Sequence, residues 1–357
     1  MGPMEVDAAY YHCRHCRCGC KPWEQSLQLT PIKLTPAAEQ ITAMAGVLGS
    51  FAQGAERVLQ KMAGIRLSES TVERTTEAAG TRVAAQLEAG KPLGPSLQWS
   101  WQKDAMGQRC AYVSADATGV RQQGPGATRT DGKMAYVAMV YNARSEHDST
   151  RPLPRQVRYL SGFYDLPSLG RQLHCEALEV GWTAAEQQIT ISDGGNGLEA
   201  FFHTYFPKAE CILDFWHAKE YLVELAKAIY PGDDATRQSW TDEACHQLKH
   251  EGGPAVRARL EALDVSWASA EARETHRCTL QYFRNHQHRM DYPRYVRNGW
   301  QIGSGPVESA CKTVVGNRLK GGGMRWGEEG SNAVCHLRAL YLSESVCWES
   351  FWNPPPN

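Results

Sequence analysis

Three carboxylates stand where acid-dependent chemistry would need them. "CAYVSADATGV" alternates about Asp116, which lies between Ala115 and Ala117 and is followed by Thr118-Gly119. "ITISDGG" sets Ile189, Ile191 and Asp193 on one face of a strand by period-two alternation and breaks on Gly194-Gly195. "GSGPVES" opens a helix that carries Glu308 in its first turn. A single Asp-Gly reads equally well as an ordinary turn. Three acids at one spot would repel and retain protons unless hard cations neutralised them. Mg2+ or Mn2+, which favour oxygen ligands, are the natural filling. Two such ions can activate an attacking oxygen and stabilise a leaving one in phosphodiester chemistry.

A second cluster opens the chain. "YYHCRHCRCGC" holds Cys13, Cys16, Cys18 and Cys20 with His12 and His15 between them, soft ligands suited to tetrahedral Zn2+. Only one clear Cys-x-x-Cys half is present (Cys13, Cys16), so Cys18 and Cys20 must supply the rest if zinc binds.

Positioning these residues takes several elements. "LTPAAEQITAMAGVL", with Thr35 as cap and Pro36 at the first helical position, reads as a helix, and "FAQGAERVLQKMAG" as another. "IRLSESTVERTTEAAGTRVAAQLEAG" reads as a third, with a capping box at Ser70-x-x-Glu73. A short helix, a Gly turn and a Ser/Thr-rich helix start form a helix-turn-helix pattern, with Ser70, Thr71, Arg74 and Thr75 toward DNA. A plain three-helix bundle fits the same spacing. Residues 91–108 read as a linker. Beyond it, three strands followed by alternating helices and strands give β-β-β-α-β-α-β, an α/β fold with a mixed sheet. A polar loop is expected from Arg144 to Pro154, and a mostly helical stretch from Lys219 to about Pro293. "YVRNGWQIGSG" reads as a last strand-like piece before the helix of Glu308.

The chain has 357 residues, 42% of them hydrophobic, enough for one large core plus smaller modules. Its net charge of -1 excludes a uniformly polyanion-binding molecule. Locally the balance differs: Arg273 to Arg325 carries ten Lys/Arg against three acids, which is either a solvated charged face or a phosphate-binding surface. Met1 to Tyr11 lacks an apolar core, so no secretory leader is expected there, and the longest apolar stretch is too short to span a bilayer. With twelve cysteines and no secretory signal, a reducing, cytoplasmic setting is expected.

Taken in order, "ADATGV", "SDGGNGLEAFF", "CILDFWHAKEYL", "GWQIGSGPVESACK" and "GGGMRWGEEGSNAVCHLRAL" make the chain resemble DDE transposases of bacterial insertion sequences. The resemblance is closest to the ISKra type, related to the Mutator-like group, and covers nearly the whole chain. It implies an RNase H-like catalytic domain with a mixed five-stranded sheet, in two parts (105–218 and 295–345) around an all-helical insertion (219–294). A cysteine-rich zinc module (1–30) and helix-turn-helix-like DNA-binding helices (31–90) would precede it. The implied catalytic and metal-binding acids are Asp116, Asp193 and Glu308, holding two Mg2+ or Mn2+ ions. The implied partners are element terminal repeats and target DNA, bound by a homo-oligomer at the nucleoid and away from any membrane. Relatives carry more sequence ahead of the cysteines, so a shortened copy is one expectation, and a DNA-binding derivative without catalysis is the alternative to an active enzyme.

Three further readings belong with the resemblance. Cys211, Asp214 and His217 match the C/D-x-x-H signature of Mutator-like relatives, with Asp214 and His217 the better pair, which places that pair at the edge of the metal site. On the bare sequence Asp214 is equally a helix N-cap. Lys312, four residues after Glu308, would reach a phosphate beside the metals or pair with Glu308. Arg318, Lys320, Arg325 and Trp326 would contact or stack on the transposon end, against a core position for Trp326. A two-carboxylate glycosidase would explain an acid pair, but leaves the third acid, the basic stretch and the cysteines without a role.

Overall fold

The computed structural model describes residues 7–128, 130–143, 156–195 and 197–354; the polar loop expected over 144–154 lies outside the described residues. A two-residue hairpin near the front, β1 (Tyr11–His12) and β2 (Gly19–Cys20), carries the cysteine cluster. The main sheet has five strands: β3 (Cys110–Val120), β4 (Lys133–Tyr141), β5 (Val157–Gly162), β6 (Gln187–Ser192) and β7 (Glu210–Leu213). They lie in the order β5-β4-β3-β6-β7. β4 runs antiparallel to both β3 and β5, and β6 and β7 run parallel to β3. This is a mixed α/β sheet in which the β-β-β-α-β-α-β order read from the sequence recurs.

The central strand is covered on both faces, which is why it reads as a near-continuous apolar run. Cys110 and Tyr112 enter one core with Ile189, Ile191 and Ile212; Ala111, Val113 and Ala115 enter the other with Leu169, Leu173 and Phe202. Between β7 and Gly305 the chain is helical: Phe215–Ile229, Asp234–Glu251, Gly253–Ala262, Ala270–His286 and Tyr292–Arg297. The strand-like piece expected over 295–305 is therefore not a strand. Tyr292–Arg297 is a helix capped by Asp291, and residues 298–304 are irregular, because the buried Tyr292 and Tyr295 follow helical rather than alternating spacing.

The front helices share the core of the sheet. Pro36–Leu48 starts at Thr35 as expected, its hydroxyl accepting from the Ala38 N–H. Glu69–Glu88 is capped by Ser68, which accepts from the Thr71 N–H, so the Ser70-x-x-Glu73 capping box is not formed. This helix crosses Glu328–Leu342 so closely that a Cβ on Gly80 would fall 2.0 Å from the Ala333 carbonyl oxygen. Residues 91–108, read as a linker, are instead pinned. Leu93, Trp99 and Trp101 are buried, and the Leu97 and Trp99 N–H groups donate to Glu179 and Val180. The cause is the buried ion pair Arg158–Glu176, 3.0 Å apart: Glu176 also accepts from the Leu93 N–H, and Arg158 donates to the Pro95 carbonyl. Among the described residues no helix is long and apolar enough to cross a membrane.

Candidate active site

Strand register brings two of the acids together. Ser114 of β3 pairs with Ile191 of β6 in parallel, so Asp116 and Asp193, each two residues further on, come out side by side. β6 ends at Ser192, which makes Asp193 the first residue after the strand rather than its last. Its carboxylate accepts from the Gly195 N–H at 2.9 Å, so the Asp-Gly turn coexists with a place beside Asp116. Asp214 follows β7 in the same way, its N–H donating to the Ser192 carbonyl. Three neighbouring strands thus deliver an aspartate at or just beyond the ends of their parallel pairing, where open α/β sheets collect ligands.

The fourth acid arrives from a helix. Ser304 precedes the helix Gly305–Ala310, whose Val307 and Ala310 are buried and leave Glu308 exposed on the open side. Past Ala310 the helix widens to π turns over Cys311–Gly316, a form common near functional sites. Arg338, buried in Glu328–Leu342, takes the Val314 carbonyl at 2.7 Å and also donates to the carbonyls of Thr313 and Val47.

Asp116, Asp193, Asp214, His217, Glu220, Ser304 and Glu308 line one cleft of about 250 Å3, with Trp216 on its wall. Burial, helped by the charges of Asp193 and Glu308, raises the Asp116 carboxyl above the usual aspartate range. The Ala117 N–H at 2.6 Å and the Cys311 thiol at 3.6 Å offset part of that. Asp214 is 2% exposed and accepts from the N–H groups of Trp216 and Ser304, so it is an N-cap and a site residue at once. The Ser304 hydroxyl lies 2.8 Å from Asp214 Oδ2 and 2.6 Å from Glu308 Oε1. It has one proton, so it donates to one of these carboxylates at a time. His217 sits between Glu220, 3.4 Å from its Nδ1, and the rings of Tyr221 and Tyr282.

The donor set suits hard divalent cations: the acids at the cleft are all oxygen ligands, and Asp116 responds electrostatically to two of the others. Among the described residues no group of three or more His, Cys, Asp or Glu side chains is arranged to hold a metal ion. The thiols of Cys13, Cys16, Cys18 and Cys20 are free and exposed on the hairpin of β1 and β2, which the Cys13 N–H closes by donating to the Cys18 carbonyl. Hydrogen bonding from Cys16, chiefly its backbone N–H, lowers the Cys13 pKa, which favours thiolate. Cys211 belongs elsewhere: it is on β7 against the other core, its thiol pushed up by burial.

Three of the expected DNA contacts are inside the protein. Arg318 is 2% exposed, donates to the Gly46 carbonyl, and has its guanidinium 4.4 Å from the Phe51 ring and 4.8 Å from Trp326. Trp326 is buried edge-on to Phe51, with its indole N–H on the Leu319 carbonyl. In the sequence Arg318 and Trp326 stand on either side of the Gly321–Gly323 run, and only the fold shows that they pack on each other. Thr75 is likewise buried, whereas Ser70 and Arg74 are exposed. Lys320 is exposed and donates to Thr118 Oγ1, two residues from Asp116; Arg325 and Lys312 are exposed, and Lys312 forms no ion pair with Glu308. Part of the local positive charge is paired, three of the arginines with acids from outside the stretch. Arg277, Arg284, Arg289 and Arg294 pair with Glu274, Glu261, Glu199 and Glu210.

Ser304, Trp216, Glu220 and Tyr282 were not singled out from the sequence. Ser304 alone left a signal there, as a hydroxyl one helical turn before Glu308. No family model matches the chain, and no curated protein matches it either.

Proposed function

We propose that this chain is a DDE transposase with an RNase H-like catalytic domain, cutting DNA at element ends and joining the freed 3′-hydroxyl to a target. The observation that carries the reading is the side-by-side emergence of Asp116 and Asp193 from paired parallel strands, with Glu308 lining the same cleft. In this reading the helices between β7 and Gly305 are the insertion, and the cysteine hairpin is a zinc module that helps hold DNA.

Asp116, Asp193 and Glu308 would hold Mg2+ or Mn2+, which supplies Lewis-acid activation of the attacking oxygen and charge relief for the leaving one. The protein's own share is placement. The Gly195 N–H orients Asp193, and the Ala117 N–H and Cys311 thiol orient Asp116. Asp214 is fixed by the backbone N–H groups of Trp216 and Ser304, which leaves the Ser304 hydroxyl free to donate to Glu308. Lys320, tied to Thr118, presents a cation beside Asp116, and Lys312 and Arg325 offer exposed charge to the DNA backbone. Ser70, Thr71 and Arg74 at the start of their helix offer a second contact, and a homo-oligomer would pair two ends.

A strand-transfer assay tests the proposal. Duplexes carrying the sequences that flank the reading frame are incubated with a target plasmid, Mn2+ and the protein. Joined product from the wild type and none from Asp193→Asn is expected. End binding without joining under any divalent ion would favour the non-catalytic derivative instead.

A further inference from the structure

A second, larger recess of about 500 Å3 adjoins the acid cleft, and the two share the Trp216 side chain as a wall. We propose that this recess takes an unpaired nucleobase of the DNA strand whose phosphate lies among the acids, with the Trp216 indole as its stacking platform. The proposal rests on the transposase reading and adds to it a binding site and the form of DNA that fits.

The indole is oddly placed for a core residue. Trp216 is 57% exposed, while its neighbours Phe215, Tyr292 and Trp300 are all under 10%. It is nonetheless held. Its backbone N–H donates to Asp214, the Phe215 ring packs edge-on to it at 5.6 Å, and Lys219 Nζ sits 5.3 Å from its ring centre. Gly303 makes room for it: a Cβ there would come within 2.9 Å of the indole. A large aromatic face, fixed and left open to solvent, is what base stacking uses, and it tolerates any sequence because every base has a π-face.

Charge on the recess walls favours the same occupant. Lys103 and Lys249 line it and are exposed, two cations against one acid, Asp104, whose carboxylate accepts from the Trp300 indole N–H and the Met106 and Gln108 N–H groups. Gln102 and Gln301 add polar groups that can meet a base edge. A base inside a duplex already stacks on both sides and offers only its edges. A base beside the cut that leaves the stack offers its face, at the cost of a few kcal/mol of unstacking. The recess lies where the nucleotide next to a phosphate in the acid cleft would reach.

The test compares a blunt duplex with a forked duplex of the same sequence, in EDTA, by fluorescence anisotropy. A fluorescent purine analogue in the unpaired arm reports stacking through quenching. Wild-type protein should bind the forked DNA more tightly and quench the analogue. Trp216→Ala should lose the quenching and bind the forked DNA roughly five- to a hundredfold more weakly, with the blunt duplex unchanged. Trp216→Phe should retain most of both effects, which separates stacking from misfolding. Lys103→Gln with Lys249→Gln should flatten the salt dependence by one to two units. If Trp216→Ala binds the forked DNA like wild type and quenches equally, the base site is wrong while the transposase reading stands. If wild-type protein binds neither DNA, both fall together.

Discussion

At the residue scale, Asp116 shows what the cleft costs. The folded state holds its proton more tightly than the unfolded chain does, because burial and two neighbouring carboxylates disfavour the charge. By linkage, the stability this gives is present below the ordinary aspartate pKa of about 3.9 and is lost as pH rises through the raised value. At neutral pH without metal the ionised group is therefore a burden. Asp116→Asn should melt at a higher temperature than wild type at pH 7.5 in EDTA, with the gap closing near pH 3.5, and should be inactive in strand transfer. A lower melting temperature at pH 7.5 would contradict the crowding. Ser304→Ala should keep the fold but raise the Mn2+ concentration needed for half-maximal cleavage, and Ser304→Thr should restore most of it. Equal metal dependence in all three proteins would remove Ser304 from the site. Asp116 and Asp193 were legible because period-two alternation and strand breaks are local signals, and Glu308 because a helix start is one too. Ser304 was not, because its two partners, Asp214 and Glu308, meet only after β7 and the Gly305–Ala310 helix are packed.

At the element scale, the widened turns over Cys311–Gly316 depend on Arg338. Three carbonyls, of Val47, Thr313 and Val314, converge on one buried guanidinium. Without it each loses its donor, at about 1 to 3 kcal/mol per group. Arg338→Met should destabilise the protein by at least about 3 kcal/mol in urea titration. Divalent-ion affinity should fall as well, since the helix carrying Glu308 runs straight into these turns. A stability loss under about 1 kcal/mol would show that the carbonyls find other partners. Most elements were readable from caps and periodicity. Thr35 and Pro36 set one helix start, and β3 kept the bounds of its alternating run. The misreadings share a cause. Tyr295 and Trp300 are β-favouring residues that stack on each other across a helix end, and Arg318 and Trp326 look like a basic-aromatic surface until Phe51 closes over them. Each depends on a partner distant in sequence.

At the scale of the whole molecule, one buried network ties the sheet to its surroundings. Arg158 of β5 pairs with Glu176 on Leu166–Glu179 and lies 3.4 Å from Glu344, while Glu344 also accepts from the Trp99 indole. Residues 91–108 could pass for a linker only while this network was unseen. Glu176→Gln should cost about 3 to 5 kcal/mol, since it leaves the Arg158 charge underpaired in the interior. A fully cooperative unfolding curve with unchanged midpoint would refute that role. The central claim, however, concerns the cleft, and calorimetric titration of Mn2+ into metal-free protein tests it most directly. Wild-type protein should take up Mn2+ with an affinity that weakens as pH falls toward the raised Asp116 range, and Asp193→Asn should lose most of that binding while keeping its far-ultraviolet circular dichroism. Mn2+ binding by Asp193→Asn that matches wild type in affinity and stoichiometry would contradict a metal-holding role for these acids.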